Sequence, residues 1–183
     1  MSHTPTRQAR VPTLRSVDHV AFTVPDLDEA VRFFTEHLGG QLAYTDGPFS
    51  GSDAMNGRLD VHPDATCTLA MIRLGRTMNV ELFQYTSPDQ RGTPPANSDI
   101  GGHHLAFYVD DIDQAYTYFR NVPSISLMDG PNGVRSDAPV GGQRWFYLRT
   151  RWGLHLEMTS YSGDGFYDGL AGANLAPPAD SWD

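Results

Sequence analysis

The sequence predicts an α+β fold built from two βαβββ modules, and three observations carry that expectation. Two segments match without a gap: Asp18-His19-Val20-Ala21-Phe22-Thr23-Val24-Pro25-Asp26-Leu27-Asp28 and His103-His104-Leu105-Ala106-Phe107-Tyr108-Val109-Asp110-Asp111-Ile112-Asp113. Each is followed by a helical pattern opened by an aspartate. Each module then closes on an apolar strand with a single acid, Val80-Glu81-Leu82-Phe83 in the first and Leu156-Glu157-Met158 in the second. A repeat this long is neither a solenoid unit nor low complexity. It reads as one supersecondary unit present twice, whose halves together offer two histidines and two carboxylates.

Composition narrows the classes. A chain of 183 residues suits one ordinary domain or two small modules sharing a core. With 39% hydrophobic and 19% charged residues it has the balance of a soluble protein. No apolar run approaches the roughly 18 residues of a membrane helix, and residues 1–12 lack the apolar stretch of a secretory signal. A net charge of −9 argues against nucleic-acid binding. The single cysteine, Cys67, excludes an intrachain disulfide framework, fits a reducing cytoplasm, and reads as a buried structural thiol in Cys67-Thr68-Leu69-Ala70-Met71-Ile72.

The elements follow in order. Residues 1–13 read as a flexible arm, and 14–86 as the first module. Its first strand, about 16–24, sets His19, Ala21 and Thr23 on one face and Val20, Phe22 and Val24 on the other. Asp26 is the expected N-cap of a helix, with Glu29 three residues on. Ala30, Val31, Phe33, Phe34 and Leu38 form its apolar stripe, and Gly39-Gly40 ends it. A strand near 41–45, a long loop over 46–64, and strands 66–74 and 78–86 joined at Gly75-Arg76 complete the module. Residues 87–101, with Pro88, Pro94 and Pro95, are the expected linker. The second module, 102–163, repeats the order: strand 103–109, helix 111–120 capped by Asp111, and strands near 125–128, 143–150 and 153–161. Residues 164–183 read as a tail.

The strand faces point to metal chemistry. His19 shares its face with Ala21, and His104 with Ala106, so each imidazole has room beside it. Glu81 and Glu157 each lie between large apolar neighbours, on the face away from the helices. Burying two such acids unpaired costs several kcal/mol. A divalent cation held by two imidazoles and two carboxylates removes that cost, and the mixed nitrogen and oxygen set suits Ni, Co, Mn, Fe or Zn better than Ca or Mg. His103 rivals His104, but the repeat sets it opposite Asp18 and facing the helices. His155 shares the face of Glu157, and Tyr108, Tyr147, Tyr161, Phe83 and Tyr85 are candidates to line a small-ligand pocket. His62 is expected at the surface. Arg73, Arg144 and Arg149 are the basic groups available to an anionic substrate, with a solvated strand face as the default reading.

The βαβββ–βαβββ order, together with the two repeat segments and Leu154-His155-Leu156-Glu157-Met158, resembles the vicinal oxygen chelate superfamily. This is the group of glyoxalase I, methylmalonyl-CoA epimerase, extradiol dioxygenases and bleomycin- or fosfomycin-resistance proteins. The resemblance covers about residues 15–161. It implies strands paired into a curved, cup-shaped sheet with helices outside and a metal within. It also implies that His19, Glu81, His104 and Glu157 occupy the ligand positions of the metal-binding members.

Within that superfamily the chain looks closest to methylmalonyl-CoA epimerase and to epimerases of cyclic, valiolone-type ketones. The implied reaction is proton removal beside a carbonyl through an enediolate, with Glu157 or Glu81 doubling as base. The alternatives are an Fe(II) extradiol-type dioxygenase, a lyase or cyclase of specialised metabolism, and a non-enzymatic drug-binding resistance protein. The dioxygenases use two His and one Glu, so a carboxylate at Glu81 favours redox-neutral chemistry. Arg149-Thr150-Arg151-Trp152-Gly153 stands where glyoxalases carry Asp-Pro-Asp-Gly-Asn, which speaks against glutathione chemistry. The second base of the epimerases has no glutamate to match it in 45–64, where only Asp46, Asp53, Asp60 and Asp64 are available. No basic patch indicates a CoA substrate. The expected partners are a small-molecule substrate and a second copy of the chain in a homodimer.

Overall fold

The described residues form two mixed sheets, each carrying one principal helix. The structure, a computed structural model, describes residues 11–50, 57–138, 141–161 and 175–183. It divides into two compact units, one of Met1–Pro88 with Ser181–Asp183 and one of Asp89–Asp180. Of the segments read from sequence, residues 1–10 of the arm, 51–56 of the loop and 164–174 of the tail lie outside the described residues. No helix among the described residues is long and apolar enough to cross a membrane.

In the first unit β1 (Val20–Thr23), α1 (Leu27–Arg32), β2 (Gln41–Ser50), β3 (Thr66–Leu74) and β4 (Met78–Thr86) form a sheet in the order β1-β4-β3-β2. Only β1 and β4 run parallel. α1 forms because Asp26 accepts a hydrogen bond from the Glu29 amide at 2.8 Å, while Leu27 and Ala30 turn inward. The helix continues as a π-helical turn, Phe33–His37, that buries Phe33 and Phe34. Gly39, at φ +67°, stops it. A side chain at Gly40 would collide with Ile72 and the Phe34 carbonyl, so its absence lets the helix end settle on β3. Ala70, Ile72, Val80 and Leu82 are fully buried on the helix-bearing face.

The second unit repeats the plan with β5 (His104–Tyr108), α2 (Ile112–Phe119), β6 (Ile125–Leu127), β7 (Asn132–Gly133), β8 (Gln143–Thr150) and β9 (His155–Tyr161). The order is β5-β9-β8-β6, with β7 also pairing to β8. Asp111 caps α2 by accepting from the Asp113 and Gln114 amides. Phe146, Leu148, Leu156 and Met158 are buried beneath the helix, and Phe146 meets Tyr116 and Phe119 edge-on.

Three sequence expectations need correction. The first strand is shorter than 16–24, so His19 immediately precedes β1. β2 runs to Ser50, so the segment 46–64 is not all loop. It is an edge strand whose pairing with β3 shifts between Asp46 and Phe49, which is how a strand accommodates Gly47 and Pro48. His103 is exposed and not buried under a helix, with Nδ1 2.9 Å from the Gly101 carbonyl.

Arg144 on β8 grips Asp113 of α2 through two hydrogen bonds of 2.6 and 2.9 Å. The guanidinium holds the Asp113 carboxyl below its ordinary value. A lowered carboxyl pKa contributes stability above the unfolded value and loses it as pH falls through the folded one. Asp113→Asn is therefore expected to lower the thermal midpoint at about pH 5 and above, and the difference is expected to shrink as pH falls through the lowered Asp113 value. A midpoint difference independent of pH would show that charge is not the cause.

Candidate functional site

The two parallel strand pairs have the same register. Ala21 stands beside Glu81, and Ala106 beside Glu157. Each histidine lies two residues before its alanine and so reaches the glutamate across a small neighbour. His19 Nε2 is 3.3 Å from Glu81 Oε2, and His104 Nε2 is 3.2 Å from Glu157 Oε2. The imidazoles are more exposed, at 37% and 41%, than the carboxylates, at 14% and 12%. Both separations exceed the usual N–H···O distance of about 2.9–3.0 Å. They match two donors sharing one cation: at metal–donor distances of roughly 2.05 Å the donors lie about 2.9 Å apart at right angles and about 3.3 Å apart in a tetrahedron. Each pair therefore offers, within its own unit, two donors whose chemistry and spacing a shared cation would accept.

The pairs differ in what supports them. In the first unit Asp18 Oδ2 lies 2.8 Å from His19 Nδ1. That hydrogen bond, more than the nearby charges, holds the His19 imidazole above its ordinary pKa. A carboxylate accepting from Nδ1–H leaves the Nε2 lone pair for another partner, the arrangement that orients metal-binding histidines. In the second unit the support acts on the glutamate. Tyr147, directly across from Glu157 on β8, donates to Glu157 Oε2 at 2.8 Å. Its ring stands edge-on to His104 at 5.2 Å and 88°. Burial, with help from Glu157, pushes the Tyr147 phenol well above its ordinary value.

The structure brings His19 to Glu81 and His104 to Glu157. Among the described residues it shows no group of three or more His, Cys, Asp or Glu that could hold a metal ion. His155 pairs in register with His104 and is only 6% exposed; burial, then Arg149, His103 and His104, lowers its pKa. Phe83 shares the face of Glu81 and stacks on Tyr85 at 5.3 Å. Tyr108 shares the face of His104 and stacks on Tyr161 at 5.8 Å. Cys67 is buried, as expected of a structural thiol.

Two of the three candidate arginines are engaged. Arg144 is held by Asp113, and Arg73 donates to Gln41 and lies 3.8 Å from Asp183. His62 is one-third exposed and accepts from the Asp64 amide, rather than lying free at the surface. Asp18 was missed at the sequence level as a support for His19; the adjacent Asp-His pair at a strand start was its only signal.

The sequence model described as Glyoxalase/Bleomycin resistance protein/Dioxygenase superfamily matches residues 18–130. The chain belongs to that superfamily. Among characterised relatives it is similar to a 2-epi-5-epi-valiolone epimerase from Actinomyces sp., at 44% identity over 172 residues, covering 94% of this chain and 93% of the relative. Among solved structures it resembles a glyoxalase family protein from Bacillus cereus, with TM-score 0.63 and 21% identity over 85% of this chain and 100% of that one. It also resembles the fosfomycin resistance protein FosX from Listeria monocytogenes, solved with Mn(II) and sulfate, with TM-score 0.50 and 12% identity over 81% of this chain and 94% of that one. At those identities the solved structures show the fold alone, and they agree with the α+β expectation.

Proposed function

We propose that the protein is a metal-dependent epimerase that inverts the carbon beside the carbonyl of a small cyclic polyhydroxylated ketone of the 2-epi-5-epi-valiolone type. His19, Glu81, His104 and Glu157 would hold one divalent cation of the Ni, Co, Mn, Fe or Zn group. The observation that carries this reading is the His–Glu pair found twice at identical register, in a chain 44% identical to an epimerase. A bound cation supplies Lewis acidity, favouring negative charge on the carbonyl oxygen of the substrate.

The chain's own groups supply the rest. Inversion requires a proton to leave the carbon from one face and return on the other. Glu81 and Glu157 are the two carboxylates available to take and give it. Tyr147 stays protonated at neutral pH, so it acts as a hydrogen-bond donor and not as a base. His155, its pKa lowered, is an uncharged donor or acceptor on the same face.

The test is exchange of the hydrogen beside the carbonyl when the ketone is incubated with the protein in deuterated water. Exchange is expected only with cation present, at about one equivalent bound per chain, and both are expected to be lost in Glu81→Ala. A cation-loaded wild type that exchanges nothing would overturn the epimerase reading.

A further inference from the structure

The two units share one strand order apart from β7, yet they differ opposite the two glutamates. On β3 the residue facing Glu81 is Met71, and on β8 the residue facing Glu157 is Tyr147. A thioether has no hydrogen to donate, whereas a phenol does. The Tyr147 hydroxyl is 2.8 Å from Glu157 Oε2 and 3.5 Å from His104 Nε2, and that same oxygen is 3.2 Å from Nε2. One carboxylate oxygen thus sits between a phenol and an imidazole. Its two lone-pair directions have different assignments: one takes the phenol, and the other is left beside the imidazole nitrogen.

From this we infer that Tyr147 is a positioning residue that fixes the Glu157 carboxylate beside His104, a support for which Met71 gives Glu81 no counterpart. The inference rests on the reading of the two pairs as ligands of one cation. In the first unit the corresponding support acts on the histidine, because Asp18 holds His19 Nδ1 and Met71 offers Glu81 nothing. A glutamate has several rotatable bonds, and a charge-assisted hydrogen bond from a half-buried phenol removes much of that freedom. The two His–Glu pairs therefore carry the same residue types with different support.

The test is titration of the full-length protein with Co²⁺, followed by visible absorption, on wild type, Tyr147→Phe, Tyr147→Met and Met71→Leu. Tyr147→Met gives the second unit the side chain of the first. Loss of an outer partner of a metal ligand weakens binding by about 10- to 100-fold. That loss is expected in both Tyr147 variants, with a displaced Co²⁺ band, and neither change is expected in Met71→Leu. Two Tyr147 variants are used so that misfolding of one, seen by circular dichroism, leaves the other to decide. Wild-type affinity and band in a folded Tyr147 variant would overturn the inference. An equal loss in Met71→Leu would overturn the inequality of the halves. A wild type that binds no Co²⁺ would instead overturn the cation reading itself, and the inference with it.

Discussion

Glu81→Gln is expected to lower the rate of hydrogen exchange beside the carbonyl by about a hundred- to ten-thousand-fold, the usual contribution of a positioned general base. The substitution keeps the volume and shape of the side chain and removes its charge and its ability to accept a proton. Glu81 is largely buried and its neighbours on β4, Val80 and Leu82, are fully buried, so an isosteric amide leaves the sheet intact. The thermal midpoint of the variant should accordingly stay close to that of wild type while activity collapses. Glu157→Gln should lose activity as well, and the double variant should lose little more than the worse single one, because groups acting as one unit are not additive. Full activity in Glu81→Gln, with cation bound, would remove Glu81 from the chemistry.

Phe146→Ala is expected to destabilise the protein by about 3–5 kcal/mol, the range for emptying a buried aromatic site. Phe146 is fully buried on β8, and its ring meets Tyr116 at 5.1 Å and Phe119 at 6.3 Å, so it is one of the contacts through which α2 rests on the second sheet. Denaturant unfolding measures the loss. A change below about 1 kcal/mol would mean that the site collapses around the alanine.

Much of the fold was legible in the residues. β3, β4 and β8 alternate or run apolar between clear turns, and their ends fall where the sequence placed them. Asp26 and Asp111 cap their helices because a short acid before an apolar stripe has few other uses. Other features were hidden for physical reasons. Asp46, Gly47 and Pro48 read as loop because a bulged edge strand tolerates turn residues. β7 is two residues long and has no period to detect. The π-helical turn at Phe33–His37 shares the apolar spacing of an ordinary helix end. At the candidate site, the alternation of β1 and β5 placed His19 and His104 on the faces of Ala21 and Ala106. The sequence did not reveal what steadies each pair. That depends on which residue lies directly across a hairpin, as Tyr147 does for Glu157, and on a side chain folding back on its neighbour, as Asp18 does on His19.

Carrying both units on one chain has a consequence for inheritance. In a symmetric pair of identical chains every substitution appears twice, so neither copy can change alone. Here a codon for methionine opposite one glutamate and for tyrosine opposite the other are separate letters of one gene. Selection can sharpen one half without imposing the same change on its twin, a freedom that no dimer of single units possesses.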